Sequence, residues 1–245
     1  MPRANRYIVS GQTYHVTHRC HNGAFLLRFA RDRDGYRRML REKLQESKVG
    51  LLSYCITSNH VHLLMHLDEA GQLEDLSRLM QSLEGEFAQS YNQRKDRNGA
   101  FWGDRYHATM IDSGEHLWNC LRYIELNMVR AGVVGHPGEW AWTGYQELMG
   151  QRKRYRVVDE AALLERVEAR SRDEFRDQYE GMIADALSRR ALAREAKWTE
   201  SLAVGSERFV REVGQKIRNR TQVEIVEEAT ADGSWVVREA QAAYG

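Results

Sequence analysis

Two histidines one residue apart, His60 and His62, stand in a run whose side chains alternate for most of its length. On a strand, residues i and i+2 share a face, so both imidazoles point one way together with Leu64 and His66, while Val61, Leu63, Met65 and Leu67 point the other. Such neighbours lie roughly 6.5 to 7 Å apart at the backbone, within reach of one metal ion. His66 lies about 13 Å beyond His62 along the strand and is left out of the pair. A second set follows Ser113. Leu117, Leu121, Ile124 and Met128 make an apolar helical stripe, and His116, Cys120, Tyr123, Asn127 and Arg130 make a separate one at spacings of three and four. A phenol, an amide and a guanidinium thereby share a face. Each set also has an ordinary reading. Strands carry histidines that bind no ion, and an amphipathic helix can cap its core with a tyrosine while Asn and Arg meet water. Spacing alone does not bring this helix to the histidines.

The elements that must position these residues are legible in outline. Tyr14 to Cys20 reads as a strand and Asp32 to Lys48 as an amphipathic helix carrying Tyr36, Met39, Leu40 and Leu44. Leu51 to Thr57, the turn pair Ser58-Asn59 and His60 to Leu67 form a β-hairpin. Gln72 to Tyr91 is a second long helix, Arg105 to Asp112 a fourth strand, and Ser113 the expected N-cap of a helix running to about Arg130 and ending at Ala131-Gly132. The order β, α, β, β, α, β predicts an α+β fold, a ferredoxin-like sandwich with both main helices on one face of an antiparallel sheet, plus the additional helix that bears Tyr123. Residues 1–150 are read as this domain. Residues 151–245, dense in Ala, Leu, Glu and Arg, are read as a mainly helical C-terminal appendage, with strand signal only at Val223 to Val226 and Trp235 to Val237.

Composition narrows the class. In 245 residues, Lys and Arg number 36 against 35 Asp and Glu, which excludes a basic coat over the whole chain. The charge is uneven: residues 1–50 carry 11 Lys/Arg against 4 Asp/Glu, whereas residues 151–245 balance 18 against 18. The appendage is therefore not expected to bind a polyanion by counterion release alone, and its removal is expected to leave the site of the histidine pair assembled. Arg189, Arg190, Arg194 and Lys197 read as a solvated face. Cys20, Cys55 and Cys120 match no disulfide or zinc framework, and no apolar run reaches membrane-spanning length, so a cytoplasmic protein with no membrane contact is expected. Most of His15, His18, His21 and Arg19 read as sheet-surface groups, and Phe101, Trp102, Trp140 and Trp142 as local core.

Four segments in order carry a resemblance. Tyr14-His15-Val16-Thr17-His18-Arg19, Ser58-Asn59-His60-Val61-His62-Leu63-Leu64, Tyr123-Ile124-Glu125-Leu126-Asn127-Met128-Val129-Arg130-Ala131-Gly132 and Trp140-Ala141-Trp142-Thr143-Gly144-Tyr145 resemble the signature segments of the single-tyrosine HUH transposases, the enzymes of the smallest insertion sequences and their relatives associated with repetitive extragenic palindromes (REPs). The resemblance spans roughly residues 5–148. Met128 departs from it, since many REP-associated relatives have proline there. The resemblance implies that His60 and His62 bind a divalent ion, Mg2+ or Mn2+, that Asn127 supplies a third ligand, and that Tyr123 is the nucleophile forming a 5′-phosphotyrosine on single-stranded or hairpin DNA. It also implies a homodimer, in which the site is either contained in one chain or shared between two. Two other functions fit the residues: a domesticated protein that binds palindromic repeats without transposition, and a metal-dependent hydrolase in which Tyr123 is incidental.

Overall fold

The computed structural model describes residues 7–190, 192–218, 222–227 and 232–240. The chain begins with strand β1 (Thr13–Arg19), helix α1 (Ala30–Gln45), strands β2 (Val49–Ile56) and β3 (His60–Leu67), helix α2 (Leu73–Lys95) and strand β4 (His107–Ile111). These strands lie side by side in the order β2-β3-β1-β4, all antiparallel, which is the ferredoxin-like arrangement. The apolar alternation of β3 meets cover on both sides, so that Val61 to Leu67 are all buried, including both of its inner histidines. One cover is the α1/α2 pair. The other begins with α3 (Glu115–Glu125) and the single turn α4 (Asn127–Arg130), which follow β4 and pack back on β2.

Ser113 does not cap α3. The N-cap is Gly114, with φ 62°, and no side chain closes the first turn. Asp112 shows why the chain turns here differently: its carboxylate accepts from the Ser113 N–H and from the backbone and hydroxyl of Ser206, tying this corner to the C-terminal half. The expected helix to Arg130 is interrupted at Leu126, but the bonds from Leu126 N to Arg122 O and from Arg130 N to Leu126 O carry the helical path across.

Beyond α5 (Tyr145–Leu148) come α6 (Glu160–Arg166), α7 (Arg172–Ser188), the single turn α8 (Lys197–Glu200), β5 (Ala203–Gly205), α9 (Glu207–Ile217), β6 (Val223–Glu227) and β7 (Trp235–Glu239). Helices predominate in this part, and its strands extend the same sheet. β5 pairs parallel with β4, and β7 and β6 follow outward, giving seven strands in the order β2-β3-β1-β4-β5-β7-β6. At three residues, β5 is too short to show an alternating pattern in the sequence. Lys197, read as solvated, is 1% exposed. Its ammonium lies 2.6 Å from Asp232 and 3.3 Å from Glu195, the partners that make such burial tolerable.

The connection after α5 is tied down by one buried carboxylate. Glu147 accepts from Arg37 Nη2, from the Tyr54 hydroxyl and from the backbone N–H groups of Val157 and Val158. No helix among the described residues is long and apolar enough to cross a membrane.

Candidate active site

The register of the sheet decides what surrounds the histidine pair. β1 runs antiparallel to β3 with Arg19 opposite His60, Thr17 opposite His62 and His15 opposite Leu64. All of these face α3 and α8, while Tyr14, Val16 and His18 face α2. His60 and His62 sit edge to face with ring centroids 4.8 Å apart. His60 Nδ1 donates to Asn59 Oδ1 at 2.7 Å, which leaves Nε2 as the free lone pair. Asn127, at the start of α4, donates Nδ2 to His62 Nε2 at 2.8 Å.

Tyr123 comes to the same point from the end of α3. Its ring centroid lies 6.1 Å from that of His62 and 6.0 Å from that of His15, edge-on to both, within one chain. The helix is held at this depth by Glu125. That buried carboxylate accepts from Ser53 Oγ at 2.5 Å and from the Tyr145 N–H at 3.1 Å. Burial pushes its pKa up to about 7. Gly144 is required beside it, because a Cβ there would lie 2.2 Å from Ser53 Oγ and 3.0 Å from Glu125 Oε1.

Electrostatically the site is built for neutral ligands. Burial pushes the His60 pKa down to about 4, aided by Arg19, and holds His62 well below the ordinary imidazole value. Burial raises the Tyr123 phenol above its ordinary value, and Arg130 opposes this. The Arg130 guanidinium lies 4.2 Å over the phenol ring and donates to the Tyr123 carbonyl at 3.1 Å. The site opens into a cavity of about 610 Å³ lined also by Arg19, Arg105, Arg194, Asp104 and Glu200, with Arg194 paired to Glu200; counting Arg130, four guanidinium groups against two carboxylates leave a net positive lining suited to phosphate.

All four residues singled out by the sequence, His60, His62, Tyr123 and Asn127, thus converge in one cavity. Their donor set suits a divalent ion: two neutral imidazoles and an amide. Among the described residues no three His, Cys, Asp or Glu side chains are grouped to hold a metal. Arg130, half-read as a solvated residue, completes the group. Its signal was its place three residues after Asn127 and seven after Tyr123. His15 and the Trp198 carbonyl also reach the site, His15 Nε2 lying 2.8 Å from His62 Nδ1 and His15 Nδ1 2.8 Å from Trp198 O. Neither stood out in the sequence, because cross-strand register is invisible there. His66 bonds Thr13 and Asp68 instead, away from the cavity. Of the aromatics, Phe101 and Trp140 are buried, and the half-buried Trp102 stacks on His18.

Residues 8–127 match the family described as "Transposase IS200 like". No curated protein matches. Among solved structures the chain is similar to a REP-associated tyrosine transposase bound to a REP hairpin, with TM-score 0.53 and 17% identity over 65% of this chain and 93% of that one. It also aligns with a protein assigned as a transposase from Deinococcus radiodurans R1, with TM-score 0.35 and 16% identity over 54% of this chain and 92% of that one.

Proposed function

Because residues 8–127 belong to the IS200-like transposase family, we propose that the protein cleaves and rejoins single-stranded or hairpin DNA with Tyr123 as nucleophile, at a site where His60, His62 and Asn127 hold Mg2+ or Mn2+. The observation that carries this reading is the meeting, in one chain and one basic cavity, of two imidazoles kept neutral by burial, the Asn127 amide and the Tyr123 ring. The bound ion supplies Lewis-acid polarisation of the scissile phosphate. The rest is done by the chain. The Tyr123 oxygen attacks phosphorus in line, the P–O3′ bond breaks as the P–Oη bond forms, the phenol proton is lost to water, and the departing 3′ oxygen takes up a proton. Because the phosphate stays on the protein as a 5′-phosphotyrosine, the 3′ hydroxyl can reverse the reaction without an outside energy source. Arg130 over the ring favours the phenolate that this step needs. The family resemblance supports a homodimer, the three free cysteines support a cytoplasmic location, and here Tyr123 reaches the histidines of its own chain.

The test is incubation with end-labelled hairpin DNA and Mn2+. The wild type should form a denaturant-stable protein–DNA adduct carrying the 5′-phosphate end of the break, and chelator should prevent it. Clean hydrolysis with no adduct favours a metal-dependent hydrolase instead. His60→Ala or His62→Ala should abolish cleavage while keeping hairpin affinity within about tenfold, because contacts to phosphate and bases elsewhere provide most of the binding. Full cleavage by the double variant in chelator contradicts the metal assignment.

Arg130→Met keeps a side chain over the ring but removes the charge. Adduct formation near neutral pH should slow by roughly tenfold to a hundredfold and recover in part as pH rises, since the lost effect is stabilisation of a phenolate. A pH-independent loss contradicts that role.

A further inference from the structure

The hydrogen bonds around His62 run in one direction. The Trp198 carbonyl can only accept, so the proton on the 2.8 Å bond to His15 belongs to His15 Nδ1. His15 has no solvent exposure, and its two partners are a carbonyl and a second imidazole, surroundings in which a buried ring is held uncharged. A neutral imidazole with its proton on Nδ1 has a lone pair on Nε2. That atom lies 2.8 Å from His62 Nδ1. The two rings are nearly coplanar, with planes 17° apart and centroids 5.0 Å apart, as an in-plane N–H···N bond between imidazole edges requires. His62 therefore donates from Nδ1, and its Nε2 is left as a lone pair. The other end agrees: the group facing His62 Nε2 is the Asn127 Nδ2 donor.

The carbonyl that starts this chain is fixed in place by the C-terminal part of the protein. The Trp198 indole is fully buried, and its neighbour Lys197 is held by Asp232, Glu195 and Ser234. Thr109 Oγ1 donates to the Trp198 oxygen at 3.2 Å and to the Ser201 oxygen at 2.7 Å, fastening the same segment to β4.

We propose that His15 is a positioning residue, and that through it the backbone carbonyl of Trp198, in the C-terminal part of the chain, fixes the His62 tautomer and turns the Nε2 lone pair toward the ion site. The consequence for metal binding rests on the reading of His62 as a ligand. The relay itself does not. Ligating histidines elsewhere depend on such partners, and losing one weakens metal affinity by about tenfold to a hundredfold.

Two measurements on the full chain test this. The first uses wild-type, metal-free protein labelled with 15N-histidine, with tautomers read from long-range 1H–15N correlations near neutral pH. Both His15 and His62 should be neutral with the proton on Nδ1. A proton on Nε2 of either overturns the relay, whatever the metal does. The second is Mn2+ affinity, read from the paramagnetic signal of free Mn2+. His15→Phe preserves a ring but neither accepts from His62 nor donates to Trp198, and should weaken Mn2+ by about tenfold to a hundredfold. His15→Gln, whose amide offers both a donor and an acceptor, should recover much of the loss. A His15→Phe protein with a wild-type melting curve and unchanged Mn2+ affinity overturns the proposal. If that variant does not fold, the tautomers of the wild type decide alone. If the wild type binds no Mn2+, the metal reading fails, and the tautomers still settle the relay.

Discussion

Tyr123→Phe is expected to abolish the covalent adduct while leaving hairpin binding within about tenfold. The substitution removes one oxygen and little else. The ring still packs edge-on to His15 and His62 and still lies under the Arg130 guanidinium, and the bond from Arg130 to the residue 123 carbonyl is made by the backbone. Among the described residues, the hydrogen bond that Arg130 makes to Tyr123 uses the carbonyl and not the hydroxyl. Loss of the nucleophile takes away the atom that forms the bond to phosphorus, so the adduct should fall on the order of a thousandfold or more, below detection on a denaturing gel. Hydrolysis by water at a metal-loaded site can persist at a low rate, and labelling both DNA ends separates the two products. An undiminished adduct in the variant places the nucleophile elsewhere. Within one chain the Tyr123 and His62 ring centroids lie 6.1 Å apart, so the phenol is placed to serve the histidines of its own chain.

How far the site was legible depends on whether its geometry is local. His60 and His62 share a face because strand side chains alternate, and Tyr123, Asn127 and Arg130 share one because helical residues recur every three to four positions. Both facts travel with the sequence. The ferredoxin-like order of the first four strands was legible for a similar reason: each has enough alternation and is bounded by turn residues. Meeting of the strand with the helix is not local. It depends on Glu125 finding Ser53 and the Tyr145 amide, and on Gly144 leaving room for that contact. The motif Trp142-Thr143-Gly144-Tyr145 was visible as a motif, but not as the support of the helix. His15 was discounted as one of several histidines on a strand, since its importance comes from lying diagonal to His62 across a register that only the folded sheet sets. Lys197 was misread for a related reason: near-balanced charge in a helical stretch normally means a wet surface, and its partner Asp232 lies 35 residues away.

Removal of residues 155–245 is expected to damage the whole molecule, and with it the metal site, contrary to what near-neutral charge and helical composition imply. The cut would delete β5, exposing the backbone edge of β4, whose Met110 N–H and Asp112 N–H donate to Leu202 O and Val204 O. It would also strip the cover from α3: the fully buried Phe175 stacks on Trp118 with centroids 5.3 Å apart, and Tyr179 stacks on Phe175 behind it. Burial of large side chains such as Phe175, Tyr179, Trp198 and Leu163 contributes about 1.5 to 3 kcal/mol each before the cost of ordering the chain, so the gross loss from these four is of the same order as the net stability of an ordinary domain. Glu147 would be left with two fewer donors when Val157 and Val158 go. At the site, His15 would lose the Trp198 carbonyl, and Tyr123 the neighbouring Trp198 ring, 6.2 Å away. The truncated chain should therefore aggregate or melt without a cooperative transition and bind Mn2+ at least tenfold more weakly than the full chain. A soluble 1–154 fragment with a sharp melt and full-length Mn2+ affinity would show that the C-terminal part is dispensable to the site, and that the hydrogen bond from His15 to Trp198 has no bearing on how His62 is presented.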